Sequence, residues 1–167
     1  MNWPYFHMII NHFPIILGVM GAAAAVLGLL VPRRGVWLYA LVSLTLAALS
    51  AYPAVFTGER AEHVLEEAWY VQAGALEEHE ESGKLALWVK LATGIVSAWA
   101  WRRTVKGEQL SGLPGWLCGI VVAGALASAL AVGYWALEGW RIIHSAPVLL
   151  RPEPPPGYTP PAIRQAP

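Results

Sequence analysis

The chain has 167 residues and as many basic as acidic groups, 11 each, so its formal net charge is zero and there is no general case for nucleic-acid binding. Hydrophobic residues make up 56% and charged ones only 13%, with a mean hydropathy of +0.47, outside the range of a soluble globular domain. The single cysteine, Cys118, excludes an internal disulfide and a cysteine-based zinc or iron–sulfur site within one chain.

The apolar residues are gathered into long runs, and four of these approach the roughly 20 residues that a hydrocarbon core requires. The first predicted span begins near Pro4, which suits the first turn of a helix, and runs to Val31. Its first charged residue is Arg33, so the basic n-region of a cleavable signal is missing and a true spanning helix is expected. After the tight turn Pro32-Arg33-Arg34-Gly35, a second span is predicted over about Val36 to Val55, with Thr57-Gly58 as its stop. Glu59 to Lys84 is acidic and predicts one or two short helices on the surface. A third span is predicted from about Leu85 to Trp101, then a loop over Gly107 to Gly115, and a fourth span from about Trp116 to Leu137. The expected architecture is an all-α membrane protein. Residues 1–145 form a four-transmembrane-helix bundle with an acidic outer segment between helices 2 and 3. Residues 146–167 form an extended Pro-rich tail with no core of its own.

The basic residues predict the orientation. Arg33, Arg34, Arg102, Arg103 and Lys106 crowd the two short loops against the single Glu108, whereas the other face carries six basic and ten acidic residues. The positive-inside rule then puts the short loops in the cytoplasm of a bacterial inner membrane and both termini outside.

All five histidines, His7, His12, His63, His79 and His144, fall on the outer side in this topology. At about 1.5 Å per helical residue, His12 stands about 32 Å above Arg33 and His79 about 34 Å above Arg102. Those matched heights allow imidazoles from spans one and three to meet near the outer boundary. Facing histidines of a helical bundle can grip a planar haem, each giving one axial nitrogen. For a single histidine, a side chain snorkelling to the headgroups is the commoner reading. By height, His12 and His79 are the expected metal ligands, and His7 and His144 form a second tier. His7 and His12, five residues apart, point about 140° away from each other on a straight helix. They therefore serve different sites unless the helix deforms, and Pro14 either contributes to a deformation or merely opens the helix.

His63 can share a helix face with Glu59 and Glu67, which permits a carboxylate–histidine site and makes it a fourth candidate for cofactor binding. Neither His63 nor His79 has the Glu-x-x-His spacing of a di-iron bundle, and His79-Glu80 lacks the second histidine of a zinc-protease helix. The glutamates read mainly as a solvated face with the charge to attract a basic periplasmic electron carrier. Lys90, inside the third span, must snorkel outward or pair with a glutamate or a haem propionate.

The run His7-x-x-x-x-His12-Phe13-Pro14-Ile15 resembles the opening of a family of small bacterial four-helix membrane domains of unknown function, whose members typically begin His-Pro-x-x-x-His-Phe-Pro-Ile-Ala. Thr57-Gly58-Glu59-x-Ala61-Glu62 and Glu78-His79-Glu80 resemble it more loosely, and the likeness covers about residues 5 to 135. Met8 stands where the family usually has proline. Some relatives are fused to Rieske or cytochrome-type modules, so the resemblance implies a redox setting and haem ligation by His7, His12 and His79.

Two functions are expected on these grounds. The first is a b-type cytochrome subunit of a membrane redox complex, holding one haem b, or two, and relaying electrons near the outer face. The second is a haem-free accessory subunit that anchors a larger membrane complex and docks its tail along a neighbour. No nucleophile, phosphate loop or acid–base pair points to substrate chemistry, and no span carries the mid-depth acidic residue of a transporter.

Overall fold

The computed structural model describes residues 2–66, 71, 73–106, 113–144, 153 and 156–157. The Pro-rich tail expected over 146–167 lies outside them except for Glu153, Pro156 and Gly157, as does the loop segment 107–112. The described residues form five helices in four rods, with no strand among them: α1 (Trp3–Ile10), α2 (His12–Leu30), α3 (Arg34–Leu65), α4 (Ala73–Lys106) and α5 (Gly115–Ile143). The rods α2, α3, α4 and α5 pack in a ring, with α2 closing against α5 and α1 lying on α3.

Helices α1 and α2 are one rod interrupted at Asn11. The Asn2 side chain caps α1 by accepting from the Tyr5 amide at 3.2 Å. Asn11 keeps helical angles (φ −67°, ψ −18°) and donates its amide to His7 O at 3.0 Å. Three residues on, Pro14 has no amide to donate to Ile10 O, so the ladder loses a rung where the two segments meet.

The acidic segment differs from the sequence expectation. Thr57-Gly58 does not stop a helix, and Glu59 to Leu65 extends α3 instead of forming a separate surface helix. Pro53 is accommodated inside α3, and the Thr57 hydroxyl bonds back to Pro53 O and Ala54 O at 2.8 and 3.0 Å. The extension is held by Arg60, whose guanidinium lies 4.9 Å from the Phe56 ring and 5.4 Å from that of Trp3 on α1. The next helix, α4, starts at Ala73, so His79 rides on the same helix as the predicted third span.

Packing is inverted relative to a soluble bundle. Ala25, Ala40, Ala47, Ala54, Ala100 and Ala125 fill the interior, while Leu30, Leu49, Trp88, Ile95 and Leu130 face outward. Small residues let the backbones approach, and a large apolar exterior calls for lipid. Three rods, Trp3–Leu30, Arg34–Leu65 and Gly115–Ile142, are long and apolar enough to cross a membrane. The rod α4 is as long but less apolar: charged residues crowd both its ends, Glu77 to Lys84 and Arg102 to Lys106, and between them Lys90, Thr93, Ser97 and Thr104 are buried in the bundle. Arg34 donates to Thr104 O at 3.2 Å and ties the ends of α3 and α4 opposite the acidic turn.

Ala40 is wholly enclosed and Leu130 is 76% exposed. Ala40→Leu is expected to destabilise the bundle by about 1–3 kcal/mol through overpacking. Leu130→Ala should stay within about 0.5 kcal/mol. Thermal unfolding midpoints in detergent micelles check both.

Candidate functional site

The inward seam of the first rod reads His7, Asn11, Pro14, Gly18, Gly21, Ala25 and Gly28, alternating steps of four and three. That of α4 reads His79, Gly83, Ala86, Lys90, Thr93, Ser97 and Ala100 with the same steps. A heptad keeps one face inward along the whole rod, and the two rods run in the same direction across the bundle. Equal spacing brings His7 level with His79 and Gly18 level with Lys90.

His7 is buried between α1 and α3. Its Nδ1 lies 3.0 Å from Ala54 O and 3.2 Å from Thr57 Oγ1. A carbonyl can only accept, so Nδ1 carries the proton and donates it to Ala54 O, leaving a bare lone pair on Nε2. Across the bundle, the His79 ring centroid is 6.4 Å from that of His7, with the planes at 80°. The Nδ1 of His79 is buried and has no hydrogen-bond partner. Trp135 on α5 completes the cluster, stacked on His79 at 5.5 Å and 13° and edge-on to His7 at 6.0 Å.

Two glycines make room for this arrangement. A Cβ on Gly58 of α3 would sit 3.1 Å from His7 Cε1, and one on Gly139 of α5 would sit 2.9 Å from His79 Cε1. Each imidazole therefore lies in a notch of the neighbouring helix.

The other predicted ligands lie elsewhere. His12 is exposed, and its Nδ1 turns back to Met8 O on its own rod. His79 is thus met by His7 and not by His12, because the interruption at Asn11 barely turns the helix and the 140° offset survives. His63 is a surface residue 3.6 Å from Glu66 Oε2. Of its two expected partners, Glu59 is not paired with it and Glu67 lies outside the described residues. His144 is exposed and stacks on Trp140 at 4.6 Å. Among the described residues no group of three or more His, Cys, Asp or Glu is placed to hold a metal. On the acidic face Lys84 pairs with Glu80, whose hydrogen bond and charge hold the ammonium pKa above its ordinary value.

Lys90 is 3% exposed and donates to Pro14 O at 2.8 Å. A Cβ on Gly18 would lie 2.6 Å from Nζ, so a larger residue there would make the ammonium shift. Compared with family models, curated proteins and solved structures, the chain matches none.

Sequence reasoning did not single out Trp135, which is buried at the centre of the cluster. The signal was present in the α5 seam, which runs Val121, Ala125, Ser128, Val132 and Trp135 in the same steps of four and three. Gly139→Ala should displace the His79 ring and lower the unfolding midpoint. Gly115→Ala, with open space at its Cβ, should be neutral or stabilising by up to about 1 kcal/mol. Imidazole chemical shifts and thermal melts of the two variants check this.

Proposed function

We propose that the chain is a membrane-embedded electron-transfer subunit in which His7 and His79 ligate the iron of one haem b near the outer face of a bacterial inner membrane. The observation that carries the reading is the pairing of a buried imidazole, His7, with the half-buried one of His79 on a separate rod at 6.4 Å between centroids. Two imidazoles on opposite sides of one metal, each bonded at about 2 Å, have centroids about 6 Å apart. His7 also has the hydrogen bond of a metal-ligating histidine: the distal N–H is spent on a carbonyl, which orients the ring and makes the other nitrogen more basic. The group would supply one-electron carriage between ferric and ferrous iron.

In this reading all four rods span the bilayer, including α4, whose polar residues face inward and whose outward face carries Trp88 and Ile95. The short basic connections lie in the cytoplasm and both termini outside, following the arginines and Lys106. The glutamates of the extended α3 and α4 ends would meet a basic electron carrier or another subunit of a redox complex. The His-x4-His-Phe-Pro-Ile opening, which resembles that of a family with members fused to redox modules, supports the same setting.

One observation favours the second reading, a haem-free accessory subunit. The Trp135 ring is nearly equidistant from the two imidazoles, at 6.0 and 5.5 Å, and lies beside the midpoint between them, where the plane of a macrocycle would pass. The donor set fits iron ligation, and a macrocycle bound there displaces the indole. Without it, the three rings are a packed aromatic cluster that locks α1, α4 and α5 together.

Reduced-minus-oxidised absorption spectra of the purified protein separate the two. The first reading expects a Soret shift and sharp visible bands on reduction, lost in His7→Ala and in His79→Ala and kept in His12→Ala, His63→Ala and His144→Ala. A fully pure, folded protein that takes up no haem when it is added supports the accessory role. Haem retained without both His7 and His79 would overturn the ligand assignment.

A further inference from the structure

Among the described residues, two arginines lie over aromatic rings, one at each end of the bundle. Arg60 lies against Trp3 and Phe56 at the end that carries the glutamates. At the opposite end the Arg103 guanidinium of α4 lies 4.4 Å from the ring of Trp99, one turn back on the same helix. Trp116, at the start of α5, stands 6.3 Å from Trp99 across the seam between the two helices. Ile95, Trp99, Arg103 and Lys106 follow in steps of four, four and three, so they share one exposed face of α4.

That face is cationic with no counter-charge. Residues 20–45, 90–106 and 113–130, which make up this end, contain no Asp or Glu. The ion pairs among the described residues all lie at the other end. Glu108 lies outside the described residues. Stacking on Trp99 holds the guanidinium in place and leaves its edge N–H groups free for a bidentate phosphate, and Lys106 adds a point charge one turn on. Toward mid-depth the same faces are apolar and open. Ile95 is 71% exposed one turn from Trp99, and Ile120 is 49% exposed one turn from Trp116. Gly119, between Trp116 and Ile120, has nothing within 4 Å of the place its Cβ would occupy.

We propose that the basic end of the α4–α5 seam binds one anionic phospholipid. Its phosphodiester sits on Arg103 and Lys106, and its chains lie along Trp99, Trp116, Ile95 and Ile120. The two cations select the headgroup and the apolar faces require the chains. A zwitterionic lipid brings its own ammonium beside the phosphate, which Arg103 and Lys106 repel. The site rests on the reading that α4 and α5 span the bilayer and is independent of the haem.

The test places the full chain in nanodiscs of phosphatidylcholine with a minor share of phosphatidylglycerol. Entry into discs of phosphatidylcholine alone checks the spanning reading separately: a folded chain that stays outside them overturns that reading, and this site with it. Native mass spectrometry of the protein released from mixed discs then counts the lipid retained. Wild type should keep one phosphatidylglycerol with at least about tenfold preference over phosphatidylcholine, after correction for their proportions. Arg103→Gln should lower that preference about fivefold, and Arg103→Gln with Lys106→Gln should abolish it. Arg60→Gln, at the acidic end, should leave it unchanged, and a loss there equal to that of Arg103→Gln would overturn the site as mere charge attraction. Equal retention of both lipids by wild type would overturn it, as would an unchanged preference in the folded double variant. If that variant does not fold, Arg103→Gln alone decides on the same terms. Displacement of the lipid by glycerol phosphate, which has no chains, would also overturn the proposal.

Discussion

The structure depends on one constraint. A bundle whose outer surface is leucine, isoleucine and tryptophan has no place outside for a polar side chain at mid-depth, so such groups turn inward. The inner seams are built from glycine and alanine, which leave room along the axis. Into that room project His7, Asn11, His79, Lys90 and Ser97, all on seams of heptad spacing. Charged ends make α4 the least apolar rod by composition, and between them its buried polar residues face the bundle interior.

The imidazole pair shows how backbone and side chain cooperate in such a setting. Pro53 and Thr57 sit one turn apart on α3, and the carbonyl of Ala54 between them is the acceptor that fixes the tautomer of His7. Gly58 and Gly139 remove the two methyl groups that would stand in the ring positions. Trp135 then closes the third side. The same separation satisfies an edge-to-face aromatic contact and two bonds to one metal, since both geometries bring ring centroids to within about 7 Å. Whether the axis between the rings is dry or holds a macrocycle turns on the Trp135 indole.

Lys90 meets the same constraint differently. A primary ammonium cannot share a packed apolar core without an acceptor. The rod carrying Asn11 and Pro14 offers a carbonyl to Nζ. The Gly18 notch lets the charge approach the helix closely enough to use that carbonyl. The irregular stretch from Ile10 to Pro14 therefore adjoins both polar features, with His7 above it and Lys90 below.

Much of the body plan was legible in the amino-acid order, because hydrophobic run length and basic punctuation are one-dimensional. The four helical rods, the turn at Pro32-Arg33 and the polar content of the third rod follow from spacing and composition. Extension of α3 through Pro53 and Gly58 was not legible, since a proline and a glycine read locally as a stop. Contacts from Trp3, Arg60 and His7 on other turns of the chain override that preference. Height along the helix placed His12 opposite His79, whereas the angle around the helix put His7 there. Depth follows from counting residues, but which face points inward depends on how the rods rotate against one another. The sequence by itself determined which groups are polar, how deep they lie and that they must be sheltered. Only the packing of four rods decided which of them meet, because a contact between residues 72 positions apart requires a rotation and a register that no local pattern contains.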